Sequence, residues 1–428
     1  MTGAFDTLLS RGFFYQTTDE AAVREKLNGS PVTFYVGFDP TADSLHVGHL
    51  LPIMAMRWLQ KGGHRPIALV GGGTAMVGDP TGRSTSRPMM TTAIIDQNAE
   101  CLKGQLSHFL DFSPDGGAVM VNNQDWLGKI GYIEFLRDIG VCFSVNRMLS
   151  MDSVKQRFEQ QEGISFLEFN YMLLQAYDFY FLRDKMACTF QFGGQDQWGN
   201  IIAGIDLVRR KLGQEVYGAT FPLLLKSNGE KFGKSAGGAV WLDPKRTSPF
   251  EYYQFWRNAD DADVRKLLCF FTALPVDEID RLVSPETANI NRAKEILAYE
   301  ATALAHGTAE AAKAYAAAGQ AFGFADPEGR IATSSSVVAI TAADLQTALP
   351  THEVAAADLG AGIKLVKLMV DAKLCASTSD ARRLVESGGA YVNDARISDV
   401  NHLVTAADLA TPMVVKAGKK KQMRIVLK

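Results

Sequence analysis

Nowhere do the 428 residues run through the roughly 18 consecutive apolar positions that a bilayer-spanning helix needs, so no membrane role is expected. Residues 1–14 have neither a basic start nor a continuous apolar core; with no secretory or transit signal visible, the expected address is cytoplasmic. Cysteine is sparse: Cys101, Cys142, Cys188, Cys269 and Cys375 are odd in number and widely scattered, without the paired spacing of a zinc site. They read as reduced core thiols, and neither metal ligands nor zinc are expected. Two glycine-rich turns, Gly71-Gly72-Gly73 and Gly193-Gly194, follow strand-like runs, but neither has the G-x-G-x-x-G spacing of a dinucleotide site. No internal repeat is present. What remains is globular composition, 47% hydrophobic and 21% charged, in a chain too long for one hydrophobic core and suited to two or three domains.

The net charge of −3 averages two unlike parts. Residues 361–428 hold 12 of the 44 Lys and Arg against 6 of the 47 Asp and Glu, net +6; residues 1–360 hold the remaining 32 against 41, net −9. A basic end of this kind suits a polyanion, or is an ordinary solvated surface. The pattern there predicts two short helices, over 363–370 and 379–385, then a turn and strand over 388–393. Lys364, Lys367, Arg382 and Arg383 could neutralise phosphates, with Lys419, Lys420 and Lys421 adding a basic loop.

Upstream, strand-like runs at 32–36, 66–70, 118–122 and 188–192 alternate with helix-like segments, as a doubly wound parallel sheet requires. Ligands meet such sheets at the carboxyl ends of the strands. From Pro249 the pattern becomes helical, over 250–257, 261–271 and an alanine-rich 291–318. The serines at 334–336 and the alanine-rich run 351–362 read as linker.

The chemistry starts at Asp39-Pro40-Thr41-Ala42-Asp43-Ser44-Leu45-His46-Val47-Gly48-His49, just after the first strand-like run. Turn and N-cap residues lead into an apolar stretch, 45–59, that predicts a helix whose first turn holds both imidazoles. A helix start presents unpaired N–H groups to an anion, and Gly48 leaves room for a ligand's rings. Two histidines that merely cap the helix are the alternative.

A second motif, Lys231-Phe232-Gly233-Lys234-Ser235, is flanked by Asn228-Gly229 and Gly237-Gly238, as in a mobile loop. Two lysines and a hydroxyl can close on a nucleotide's outer phosphates as pyrophosphate departs. A P-loop fails on spacing, and a solvated basic turn stays open. Third, residues 171–178 predict a helix with Tyr171, Gln175 and Asp178 on one face, either lining a pocket or facing solvent. Residues 193–200 then set Asp196, Gln195, Gln197 and Asn200 at a strand end, where a ribose or an amino group could be held.

These motifs, in this order, resemble the bacterial tyrosyl-tRNA synthetases, a branch of the class I aminoacyl-tRNA synthetases. The likeness covers nearly the whole chain through 35–50, 71–82, 171–178, 193–200, 231–235 and the basic end, with HVGH and KFGKS in place of the idealised signatures. It implies an α/β, Rossmann-like doubly wound catalytic domain over 1–248, including a dimerisation insertion. An α-helical anticodon-binding domain (249–330), a linker (331–360) and a small α+β RNA-binding domain (361–428) would follow.

The implied reaction joins L-tyrosine to ATP as tyrosyl-adenylate, releasing pyrophosphate, and then passes the tyrosyl group to the 3′-terminal adenosine of tRNA(Tyr). By position, His46 and His49 would stabilise the transferring phosphate, with Thr41 on the γ-phosphate side, and Lys231, Lys234 and Ser235 would close on pyrophosphate. Gly37, Asp39, Gly194 and Asp196 would line the nucleotide pocket, with Asp196 on the ribose. Asp79, Tyr171 and Gln175 would meet the ammonium group, with Gln197 nearby, and Tyr35 with Asp178 the phenol. Mg²⁺ would travel with ATP, without a protein cage. Pro52 takes no essential role and Arg83 and Arg87 at most a loop role. A homodimer is implied. The alternatives are a tryptophanyl-tRNA synthetase, an RNA-binding cofactor on a synthetase scaffold with vestigial chemistry, and a small-molecule adenylating ligase.

Overall fold

The structure, a computed structural model, describes residues 3–79, 90–151, 154–155, 163–227, 229, 232–235, 238–285, 289–339, 351–360, 362–393, 395–418 and 421–428. The chain divides into two compact units, one of residues 1–248 with 260–280, the other of 249–259 with 281–428.

The first unit is built on a six-stranded sheet of β1 (Gln16–Thr17), β2 (Thr33–Phe38), β3 (Arg65–Val70), β4 (Val119–Asn122), β5 (Cys188–Gly194) and β6 (Tyr217–Phe221), ordered β1-β6-β5-β2-β3-β4. All neighbours pair in parallel except β1 with β6. The four strands read from the sequence are β2 to β5, each within two residues of its expected bounds. β6 escaped because Tyr217-Gly218-Ala219-Thr220-Phe221 mixes glycine and small residues without alternation, although all five positions are buried. β2 and β3 are nearly continuous apolar runs because both faces of a parallel sheet are covered. The chain winds outward from β2 to β4, then returns to lay β5 on the other side of β2, so the order reverses between β2 and β5.

The helix expected over 45–59 starts later, at Leu50, and runs to Lys61 after a single 3₁₀ turn, Val47–His49. Residues 45 and 46, before that turn, are held extended instead: Val47 N–H donates to Val240 O at 2.9 Å and Leu242 N–H to Leu45 O at 2.9 Å. Residues 260–280, read as part of the helical region after 249, sit in the first unit. There the Arg11 guanidinium donates to the carbonyls of Cys269, Thr272 and Leu274 where the helix Val264–Phe271 ends.

In the second unit, Pro249–Arg257 packs with two helices, Ile290–His306 and Thr308–Phe322. The sequence suggested one helix over 291–318; Gly307, at φ +88° and ψ 158°, breaks it in a conformation essentially only glycine adopts. Buried Arg292 donates to Glu295 at 3.1 Å and to Tyr315 Oη at 2.9 Å. The remainder is a five-stranded sheet ordered Ala395–Ile397, Ala390–Val392, Met413–Ala417, Lys421–Leu427, Thr351–Val354, with the helices Leu365–Asp371 and Thr378–Glu386 near their expected places. Residues 351–354, read as linker, are thus a parallel edge strand, and Val354 and Leu359 contribute to a buried core with Leu365, Leu368 and Ile425.

Candidate active site

A cavity of about 610 Å³ opens in the first unit where the carboxyl ends of β2 and β5 diverge, the place at which a doubly wound sheet takes its ligands. Its most buried polar side chains are Tyr35, Asp178 and Gln191, each 2% exposed. The Asp178 carboxylate accepts from Asn123 Nδ2 at 2.9 Å and Trp126 Nε1 at 2.8 Å. Burial pushes its pKa up to about 7, against the opposing pull of those two donors. The Tyr35 phenol is held neutral, well above its ordinary pKa, by burial and then by the neighbouring Asp178 charge. Among the described residues its hydroxyl has no hydrogen-bond partner, which is costly for a buried polar group unless something else supplies one.

Beside this pair, Tyr171, Gln175 and Asp178 line the cavity from one face of the helix Tyr171–Met186, so the stripe faces a pocket and not solvent. Gln175 Nε2 donates to Gln197 Oε1 at 3.2 Å, and Gln197 Nε2 donates to Asp79 Oδ2 at 2.8 Å. Burial, then the charges of Asp39, Asp79 and Asp178, keep the Tyr171 phenol protonated. This end of the cavity is negative and suits a cation the size of an ammonium group.

At the histidine end the capping alternative and the site coincide. Gly48 N–H donates to His46 Nδ1 at 3.0 Å, and His46 N–H to His49 Nδ1 at 3.1 Å, a reciprocal cap of the 3₁₀ turn. Nδ1 therefore accepts in both neutral rings, which puts each ring proton on Nε2, a donor suited to a phosphate oxygen. The rings lie 4.0 Å apart and both line the cavity. The space at Gly48, expected to admit a ligand, is filled from within: a Cβ there would stand 2.8 Å from His46 Cε1.

Gly37, Asp39, Thr41, Gly194 and Asp196 line the same cavity, as does Pro52. Lys231, Arg83 and Arg87 lie outside the described residues. Lys234 and Ser235 are described in their backbone, a two-residue strand against Gly238–Ala239. Gly233, at φ +97°, backs onto the histidine motif so closely that a Cβ would lie 3.2 Å from the Gly48 nitrogen. The two signature segments thus pack on each other.

Residues 27–323 match the family described as tRNA synthetases class I (W and Y), and residues 342–425 match the tyrosine–tRNA ligase SYY-like C-terminal domain. The tyrosine–tRNA ligases of Acetivibrio thermocellus and Clostridium botulinum are each 50% identical to this chain over 428 residues, 100% of both sequences. The chain belongs to the class I tyrosine–tRNA ligases. A solved relative, the C-terminally truncated mitochondrial tyrosyl-tRNA synthetase of Aspergillus nidulans, is 33% identical with a TM-score of 0.66, covering 74% of this chain and 93% of its own. A tyrosyl-tRNA synthetase from Archaeoglobus fulgidus complexed with L-tyrosine shares the fold at 17% identity and a TM-score of 0.53, over 73% of this chain and 99% of its own. Members of this family are enzymes, and they are ATP-dependent.

Within this tyrosine–tRNA ligase, sequence reasoning missed Asn123 and Trp126. Asn123 is fully buried; its Oδ1 accepts from Gly73 N–H at 2.7 Å and its Nδ2 donates to Thr74 Oγ1 at 3.0 Å as well as to Asp178. The available signal was position, since both lie within four residues of the carboxyl end of a strand-like run, the end at which such sheets take their ligands. Gln191 and Trp241, which also line the cavity, were missed too. In the second unit Lys364, Lys367, Arg382, Arg383 and Lys421 are all exposed, Lys364 donating to Asn401 Oδ1 at 3.0 Å and Arg383 pairing with Asp380. Lys419 and Lys420 lie outside the described residues. No helix among the described residues is long and apolar enough to cross a membrane.

Proposed function

We propose that the cavity binds L-tyrosine and MgATP side by side, that the tyrosine carboxylate attacks the α-phosphate to give tyrosyl-adenylate and pyrophosphate, and that the tyrosyl group then passes to the 3′-terminal adenosine of tRNA(Tyr). The observation that carries this reading is the unpartnered Tyr35 hydroxyl beside the Asp178 carboxylate. Together they offer a phenol both a donor and an acceptor, and a carboxylate with two bonds already accepted still has lone pairs to spare. Phenylalanine would leave both groups buried and unmatched, a penalty for which tyrosyl-tRNA synthetases are the standing illustration.

The ammonium group is met by Asp79, Tyr171 and Gln175, with Gln197 nearby; the hydrogen-bonded chain Gln175, Gln197, Asp79 supports that placement, and Tyr171 lines the same cavity. His46 and His49 donate from Nε2 to phosphate oxygens as negative charge shifts toward pyrophosphate, with Thr41 toward the γ-phosphate. Asp39, Gly37 and Gly194 frame the nucleotide, and Asp196 accepts from the ribose. Lys231, Lys234 and Ser235 neutralise the departing pyrophosphate. Mg²⁺ enters with ATP as part of the substrate.

The helical segments of 249–259 and 281–330 recognise the anticodon, and Lys364, Lys367, Arg382, Arg383, Lys419, Lys420 and Lys421, in the small domain that follows, bind tRNA phosphates. The working address is the cytoplasm. A homodimer is supported by apolar side chains left exposed in the first unit, among them Ile133 at 74%, Val141 at 75% and Phe166 at 68%, which a second copy would cover. The test of the tyrosine assignment is Asp178→Ala. Tyrosine-dependent ATP–pyrophosphate exchange should lose roughly 10- to 100-fold in kcat/KM, the value of a hydrogen bond to a charged group; an unchanged rate contradicts it.

A further inference from the structure

One chain of contacts reaches the histidine motif from outside the site. The segments around His46 and Trp241 meet in one antiparallel bridge, with hydrogen bonds from Val47 N–H to Val240 O and from Leu242 N–H to Leu45 O flanking the two opposed residues. Those two therefore form a non-hydrogen-bonded pair, the arrangement in which cross-strand side chains come closest on one face. The rings meet edge to face at 5.8 Å, and the indole lines the cavity beside the imidazoles.

The indole is covered by a cation as well. A turn over 243–247, closed by Thr247 N–H to Asp243 O at 3.0 Å and by Trp241 N–H to Thr247 Oγ1 at 3.0 Å, brings Arg246 back over Trp241 with its guanidinium carbon 3.4 Å from the ring centroid. Arg246 Nη1 donates in turn to Asp43 Oδ1 at 2.7 Å. Asp43 lies three residues before His46, so the stack Asp43, Arg246, Trp241, His46 closes a ring between the segment after KFGKS and the segment that carries HVGH. A cation over the indole and an imidazole edge to face with it leave the ring little freedom.

We propose that Trp241 is a positioning residue for the nucleotide half of the reaction. Clamped by Arg246 and Asp43, it fixes the His46 imidazole against the phosphates and walls that end of the cavity, without a part in holding tyrosine. The inference rests on the proposed adenylation reaction.

The test measures ATP–pyrophosphate exchange with tyrosine for the wild type, Trp241→Ala, Trp241→Phe and Arg246→Ala, with tyrosine affinity measured separately by equilibrium dialysis. Trp241→Ala should raise KM for ATP and lower kcat, together lowering kcat/KM for ATP by about tenfold, the scale of one lost aromatic contact. Trp241→Phe should recover most of that, Arg246→Ala should fall between, and tyrosine affinity should stay within about twofold. Wild-type ATP parameters in Trp241→Ala overturn the inference, and so does a loss of tyrosine affinity as large as that for ATP, which marks a general structural role. Failure of the wild type itself to exchange with tyrosine overturns the underlying function instead and takes the inference with it.

Discussion

Asp178 illustrates what the cavity asks of one side chain. Its folded pKa, about 7, lies above the unfolded 3.8, so the folded state holds the proton more tightly than the unfolded chain. Its contribution to stability is full below about pH 4 and is lost as pH rises through about 7. In the proposed role ionisation readies it to accept a phenol, and Trp126 and Asn123 favour the ionised form. Accordingly kcat/KM for tyrosine should rise with pH through about 7 and flatten above it, since that ratio reports the free enzyme's ionisations. Trp126→Phe, which removes one donor to the carboxylate, should move the inflection upward by roughly one unit. A profile flat from pH 6 to 8, or an inflection moved downward, would contradict this account. Tyr35, Tyr171 and Asp178 were legible in the sequence because a familiar motif order named them. Asn123 and Trp126 were not, because they act on Asp178 across a fold in which 52 to 55 residues separate the partners, and no local spacing records that.

At the scale of elements, the two signature motifs act as one packed unit. His46 and His49 cap their own turn through Nδ1, Val240 and Leu242 hold that turn's entrance extended, and Gly233 lies against Gly48. Gly233→Ala combines a left-handed backbone with a Cβ 3.2 Å from backbone, strain on the order of 1–3 kcal/mol. KM for ATP should rise roughly 5- to 100-fold while tyrosine affinity is kept; wild-type kinetics in this variant would show that the contact does not matter. The sequence pattern anticipated an apolar helix behind the histidines but not its start at Leu50, because the cause is a tertiary pairing with residues about 195 positions later. The split at Gly307 was masked by an alanine-rich run whose helix propensity hardly falters. The edge strand Thr351–Val354 went unread because its pairing partner is the last strand of the chain.

Across the whole molecule, function follows from topology and charge together. Strand order reverses between β2 and β5, which opens a cleft there, and the motifs of the first unit converge on it from 35–49, 79, 171–178 and 191–197. The sheet was legible because four of its strands are short apolar runs with glycine or polar turns behind them. The return of residues 260–280 to the first unit was not, since Arg11 binds three backbone carbonyls there and leaves no sequence pattern. The charge split, net +6 over residues 361–428 and −9 over the rest, separates a basic end from an acidic body. The central claim is that this cavity selects tyrosine through Tyr35 and Asp178. Its most direct test is ATP–pyrophosphate exchange by the wild-type chain with each amino acid supplied separately. The account predicts exchange with tyrosine alone and background with phenylalanine and tryptophan; comparable exchange with phenylalanine, or none with any amino acid, would contradict it.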